Sequence, residues 1–183
     1  MNKKVLFITD TLEELDLKKD TSILMMEESI KLGFDVYQCL VEDLYAENSE
    51  VIVFAKKITT AGSSEIKFED ASTHSIKTFE YSFMRKDPPV DEDYINALHL
   101  LGLAQAMGTK VFNNPVSIKE FNEKVFAIHF AKYIPETLIS SKIDKIKSFI
   151  KDKKEIVVKP LNGMGGKSIY KMDKIQESEI ETL

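Results

Sequence analysis

Three of the chain's seven glycines fall within Ile156-Val-Val-Lys-Pro-Leu-Asn-Gly-Met-Gly-Gly-Lys-Ser-Ile-Tyr170. A short apolar run leads into a loop carrying Gly163, Gly165 and Gly166, and a second apolar run follows. Glycines at these positions let the main chain take positive φ and come close to a ligand. Successive N–H groups in such a loop can form a nest for an anion. Lys159, just ahead of the loop, adds a positive charge, so the segment suits a polyphosphate. Gly166-Lys167-Ser168 looks like the tail of a Walker A loop, but that motif needs glycine at position 161, which is Leu. It also needs a helix after the loop, whereas Ile169, Tyr170 and Met172 read as strand. The better reading is a glycine flap between two antiparallel strands. A hairpin turn with no ligand would use the same glycines, and the loop alone leaves both open.

Upstream, the chain opens strand, helix, strand. Val5 to Thr9 is a continuous apolar run, as in a strand buried on both faces. Thr21 and Ser22 can cap a helix with Ile23, Met26 and Ile30 on one face, and Gly33 ends it. Phe34 to Leu40 is the next strand. Val51 to Ile58, Glu65 to Phe68 and Thr78 to Met84 read as strands of an inserted meander. From Asp91, Tyr94, Ala97, Leu98, Leu101 and Ala104 recur at helical spacing up to Gly108. A short strand at Lys110 to Asn113 follows, then a helix capped by Ser117 with Glu120 three residues on. A second unit is expected from about Asn122: helix over Glu123 to Tyr133, strand over Thr137 to Ser140, helix over Lys142 to Lys154. The lysines of that last helix read as a solvated face.

Composition narrows the function classes. The net charge of −5 weighs against a nucleic-acid binder, which is usually basic. Cys39 is the only cysteine, so no disulfide forms within the chain, and its place in an apolar strand makes it a core residue. Asp10, Glu13 and Glu14 cut the N-terminal apolar run too short for a signal peptide, and no run reaches the roughly 18 apolar residues of a membrane span. A cytoplasmic protein is expected, with no nucleic-acid or membrane partner. His74, His99 and His129 fall in no motif.

Three further segments complete the pattern. In Met84-Arg-Lys-Asp-Pro-Pro-Val-Asp-Glu-Asp-Tyr94, two prolines stiffen the chain right after a strand, holding Arg85 and Lys86 at a strand end, where α/β sheets bind ligands. Asn122-Glu123-Lys124 sits at the expected junction between domains. Leu17-Lys-Lys-Asp-Thr-Ser22 precedes the first helix. Each alone reads as an exposed turn, a surface helix or a helix cap.

Together, in this order and spacing, these segments and the glycine loop resemble prokaryotic glutathione synthetases over essentially the whole chain. The resemblance implies an α/β fold: a pre-ATP-grasp parallel-sheet domain over 1–121, then the incomplete first half of an ATP-grasp domain over 122–183. It implies ATP-dependent ligation of γ-glutamylcysteine to glycine through an acyl phosphate, giving glutathione, ADP and phosphate. Lys124, Lys159, Gly163, Met164, Gly165 and Gly166 would bind ATP, and Arg85 and Asp20 would border the substrate. No catalytic residue is assignable within the chain. Mg²⁺ is the implied metal, with its ligands expected beyond residue 183, and a homo-oligomer is the implied assembly.

The sequence departs from the family in three places. Asn162 stands where the family usually has Asp, and Thr9-Asp10-Thr11 replaces the usual Met-Asp-Pro. The chain also ends at Leu183, inside the first half of the expected ATP-grasp domain. Two readings of that end remain: part of a working ligase, inactive alone, or a complete non-catalytic homologue. A third is an ATP-grasp ligase with a different amino-acid acceptor.

Overall fold

Alternation along the first strand sets the architecture of the N-terminal part. In β1 (Lys4–Ile8), Leu6 and Ile8 enter one core while Val5 and Phe7 enter another, so both faces of the strand are buried. A strand buried on both sides needs helices above and below it. α1 (Thr21–Lys31) covers the Val5 and Phe7 face with Ile23 and Met26. β2 (Asp35–Cys39) returns parallel to β1, with Val5 opposite Val36. The computed structural model describes residues 2–153, 155–162 and 169–172.

The α1 cap is Asp20 rather than Thr21 or Ser22. Its carboxylate accepts the Ser22 N–H at 2.7 Å, and Thr21 is the first helical residue. Gly33, at φ 82°, lies just past the helix, in a conformation that costs other residues energy.

The sheet is then widened on one side by an antiparallel meander. β3 (Leu44–Glu47) and β4 (Glu50–Ala61) form a hairpin, and β5 (Ile66–Phe68) and β6 (Ser72–Ser75) both pair with β4. β4 is antiparallel to β2, with Tyr37 opposite Lys57. β3 gave no signal in the sequence, because only Leu44 of its four residues is buried. β7 (Tyr81–Met84) is not part of the meander. It lies parallel to β1 on the side away from β2, with Ile8 opposite Met84.

α2 (Glu92–Ala106) follows, with Asp91 as N-cap, and buries Tyr94, Ala97, Leu98, Leu101 and Ala104. These pack on the Leu6 and Ile8 face, opposite the face covered by α1. β8 (Val111–Phe112) closes the run parallel to β7. The helix α3 (Pro115–Glu120) is capped by Asn114, whose side chain accepts the N–H groups of Val116 and Ser117 at 3.0 and 3.1 Å. Ser117 is therefore inside the helix. Pro115 explains the shift, since proline fits the first helical position, where no N–H is needed.

The chain divides into two compact units, Met1–Glu120 and Phe121–Leu183. In the second, Asn122 caps α4 (Glu123–Phe126), accepting from Lys124 and Val125. The single helix expected as far as Tyr133 does not form. A tighter 3₁₀ stretch spans Ala127–Tyr133, and Phe130 leaves helical geometry at φ −110°, ψ 31°. Aromatic and branched residues dominate this run, and they are poor helix formers. Thr137–Ser140 forms no strand; Thr137, Leu138 and Ile139 are exposed and pair with no described strand. α5 (Ile143–Asp152) buries Ile150, while Ile143 stays exposed. β9 (Ile156–Val158) and β10 (Tyr170–Met172) pair antiparallel, with Tyr170 opposite Val158.

Candidate active site

Sheet order places the first constellation. In the parallel block β2-β1-β7-β8, the chain steps from β1 to β2 in one direction and from β7 to β8 in the other. The strand order therefore reverses between β1 and β7, and ligands of open α/β sheets bind outside the carboxyl ends of the strands at that point. Asp10 follows β1 there, and Arg85, Lys86 and Asp87 follow β7.

Main-chain pairing extends past the strands, since the Arg85 N–H donates to the Ile8 carbonyl at 2.7 Å. The Arg85 guanidinium turns to the start of α1, donating to the hydroxyls of Ser22 at 3.2 Å and Thr21 at 2.7 Å. Among the described residues, no carboxylate forms an ion pair with it. Lys86 is paired with Asp10, and both side chains are only 20% exposed. The second Asp10 oxygen accepts the Asp87 N–H at 2.9 Å. Burial pushes the Asp87 carboxyl above its ordinary value, the charges of Asp10 and Asp20 add to that, and Arg85 and Lys86 oppose it. Burial also raises the Tyr94 hydroxyl, with Asp87 and Asp10 contributing. The cluster thus mixes both signs of charge around one guanidinium, an arrangement that can take up a carboxylate.

Asp20 has a settled structural job as the α1 cap, and it lies close enough to Asp87 to act on its charge. Asp10 was not singled out from the sequence. Its partners lie 76 and 77 residues away, so no local spacing marks it.

The second unit carries the other constellation. Lys124, in the first turn of α4, donates to Glu123 at 2.9 Å and to the Leu161 carbonyl at 3.0 Å. Its side chain is 20% exposed. The Lys124 hydrogen bond holds the Glu123 carboxyl below its usual value, against a smaller push from burial. Lys159 is exposed, immediately after β9, with Pro160 between it and Leu161. Lys124 and Lys159 thus both flank the start of the glycine-rich loop. The antiparallel β9–β10 pair, with strand after the loop, fits a flap and not a Walker A motif. Gly163, Met164, Gly165 and Gly166 lie outside the described residues.

Among the described residues, no group of three or more His, Cys, Asp or Glu side chains could hold a metal ion. The described residues alone do not make up a magnesium site. No helix among them is long and apolar enough to cross a membrane. Cys39 is buried, and its burial raises the thiol far above its ordinary range, as for an inert core residue.

This fold is that of the N-terminal part of ATP-grasp ligases. D-alanyl-alanine synthetase A from Vibrio cholerae O1 biovar eltor aligns with 99% of this chain and 54% of its own, at TM-score 0.52 and 17% identity. The ATP-grasp ligase PsnB, solved with a precursor peptide and AMPPNP, aligns with 98% of this chain and 61% of its own, at TM-score 0.50 and 13% identity. More specifically, residues 3–119 match the prokaryotic glutathione synthetase N-terminal domain, and residues 123–183 match the ATP-grasp domain of the same family. The chain belongs to the prokaryotic glutathione synthetase family.

Among its relatives, the glutathione synthetase of Neisseria meningitidis serogroup A is 33% identical over 175 residues, 92% of this chain and 55% of the relative. That of Vibrio vulnificus YJ016 is 33% identical over 171 residues, 92% of this chain and 54% of the relative. That of Prochlorococcus marinus subsp. pastoris is 33% identical over 171 residues, 93% and 55% respectively. The chain spans about half the length of the curated relatives it matches.

Proposed function

We propose that the whole protein is an ATP-dependent carboxylate–amine ligase that joins γ-glutamylcysteine to glycine to make glutathione. The observation that carries this reading is the pair of consecutive family matches, 3–119 and 123–183, together with relatives named as glutathione synthetases. On this reading, residues 1–121 form the pre-ATP-grasp domain and 122–183 belong to the ATP-grasp domain.

The chemistry is activation of a poor electrophile. An oxygen of the cysteinyl carboxylate attacks the γ-phosphorus of ATP, and ADP leaves. The glycine amine then attacks the acyl carbon, loses a proton, and displaces phosphate. Most of the enzyme's work is positioning and charge neutralisation. Lys124 and Lys159 are assigned to the ATP phosphates, and Gly163, Met164, Gly165 and Gly166 to the flap over them. Arg85 is assigned to a substrate carboxylate, with Asp20 at the rim. Mg²⁺ accompanies the nucleotide phosphates, which need a divalent partner. A cytoplasmic homo-oligomer acting on these small molecules, without nucleic acid or membrane, completes the reading.

The test is an assay of the whole protein with γ-glutamylcysteine, Mg-ATP and a panel of amines. Glutathione formation with glycine as the preferred acceptor is expected. A product formed only with another acceptor, or no product at all, overturns the assignment.

A further inference from the structure

We propose that Asp10 is a positioning residue that fixes the turn after β7 so that Arg85, and not Lys86, is presented to the substrate carboxylate. This rests on the assignment of Arg85 made above. Arg85 and Lys86 are adjacent cations at the end of one strand, and the structure treats them oppositely. Lys86 is neutralised by Asp10. Arg85 is oriented by two neutral hydroxyls, those of Thr21 and Ser22. Of the five N–H donors on a guanidinium, the described contacts use two, and the group keeps its net charge.

Asp10 can do this because its own main chain is anchored. The Gln38 side-chain amide donates to the Asp10 carbonyl at 3.4 Å and to the Thr9 hydroxyl at 3.1 Å. The Thr9 hydroxyl donates to the same Asp10 carbonyl at 2.7 Å. Thr9 is 0% exposed and Gln38 2% exposed, so these polar groups depend on one another. From this base the carboxylate spends one oxygen on the Lys86 ammonium and the other on the Asp87 N–H. Arg85 is therefore bracketed: its N–H is fixed to β1 through Ile8, and the next two residues are fixed to Asp10.

A double-mutant cycle in the whole protein tests this. Asp10→Ala should raise KM for γ-glutamylcysteine about tenfold, the scale of one lost charge-assisted contact, with KM for ATP nearly unchanged. Asp10→Asn keeps an acceptor for the Asp87 N–H and should lose less. Because Asp10 acts through Arg85, Asp10→Ala should add almost nothing to Arg85→Ala, whereas independent sites would multiply their effects. Independent effects, or a silent Asp10→Ala beside a damaging Arg85→Ala, overturn the role of Asp10 alone. A silent Arg85→Ala removes the substrate assignment and this role together. Hydrogen exchange of the 85–89 segment reads the clamp without activity. Pro88 and Pro89 carry no N–H, and the Arg85 N–H is held by the Ile8 carbonyl, so the Asp87 amide, bound by Asp10, reports the clamp. Exchange should speed up in Asp10→Ala and much less in Asp10→Asn, and unchanged exchange in both overturns the proposal.

Discussion

The ammonium of Lys124 donates to the main-chain carbonyl of Leu161 at 3.0 Å, tying the first turn of α4 to the start of the glycine-rich loop 37 residues later. Lys124→Met removes the charge and keeps most of the stem. Loss of a charged hydrogen-bonding partner, about 1.5–3 kcal/mol, should raise KM for ATP roughly tenfold to a hundredfold. KM for γ-glutamylcysteine should change little. Steady-state kinetics of the whole protein with each substrate varied in turn checks both.

The hairpin between β3 and β4 turns through Asn48 and Ser49, at φ 48° and 65°. Two consecutive positive φ values are typical of a type I′ turn, which favours glycine at the second central position. Serine there bears a steric cost that Ser49→Gly removes, so the variant should be more stable by about 1 kcal/mol. Denaturant melts compared at constant slope measure it. A destabilised variant would contradict this reading of the turn.

Leu98, 0% exposed in α2, faces the Leu6 and Ile8 side of the sheet. Leu98→Ala leaves a cavity and should cost about 2–5 kcal/mol. Chemical denaturation should show a lower midpoint for this variant. A loss below about 1 kcal/mol would mean that α2 does not close this face as described.

His74 packs edge-on to Tyr37 at 4.8 Å and to Phe79 at 5.7 Å between ring centroids. Burial pushes its imidazole below the ordinary 6.5, and the Lys4 charge adds to that. A folded value below the unfolded one favours neutral His in the native state. Its stability contribution is therefore full above 6.5 and is lost as pH falls through the lowered value. His74→Gln should flatten the fall in Tm below pH 6.5. An identical pH profile for the variant would contradict the assignment.

The N-terminal helices were legible because their signals are local. Asp91, the apolar spacing from Tyr94 to Ala104, and Gly108 at φ 102° mark α2 from end to end. β3 was not legible, because a strand with three exposed residues carries no alternation, and it forms only because β4 pairs with it. The α3 cap was misplaced because Ser117 and Glu120 match a capping box, while Asn114-Pro115 supplies a better start. Of the candidate site, the cations were visible as motifs. What orients them was not, since Asp10, Thr21 and Ser22 reach the Arg85–Asp87 turn only through the pairing of β1 with β7.

The most direct measurement of the proposed chemistry follows oxygen. The whole protein is given γ-glutamylcysteine labelled with ¹⁸O in the cysteinyl carboxylate, together with glycine and Mg-ATP. If an acyl phosphate forms, one labelled oxygen leaves in the released phosphate and the other remains in the new amide of glutathione. Unlabelled phosphate alongside ADP, or labelled oxygen confined to unreacted peptide, would contradict an acyl-phosphate ligase acting on this substrate.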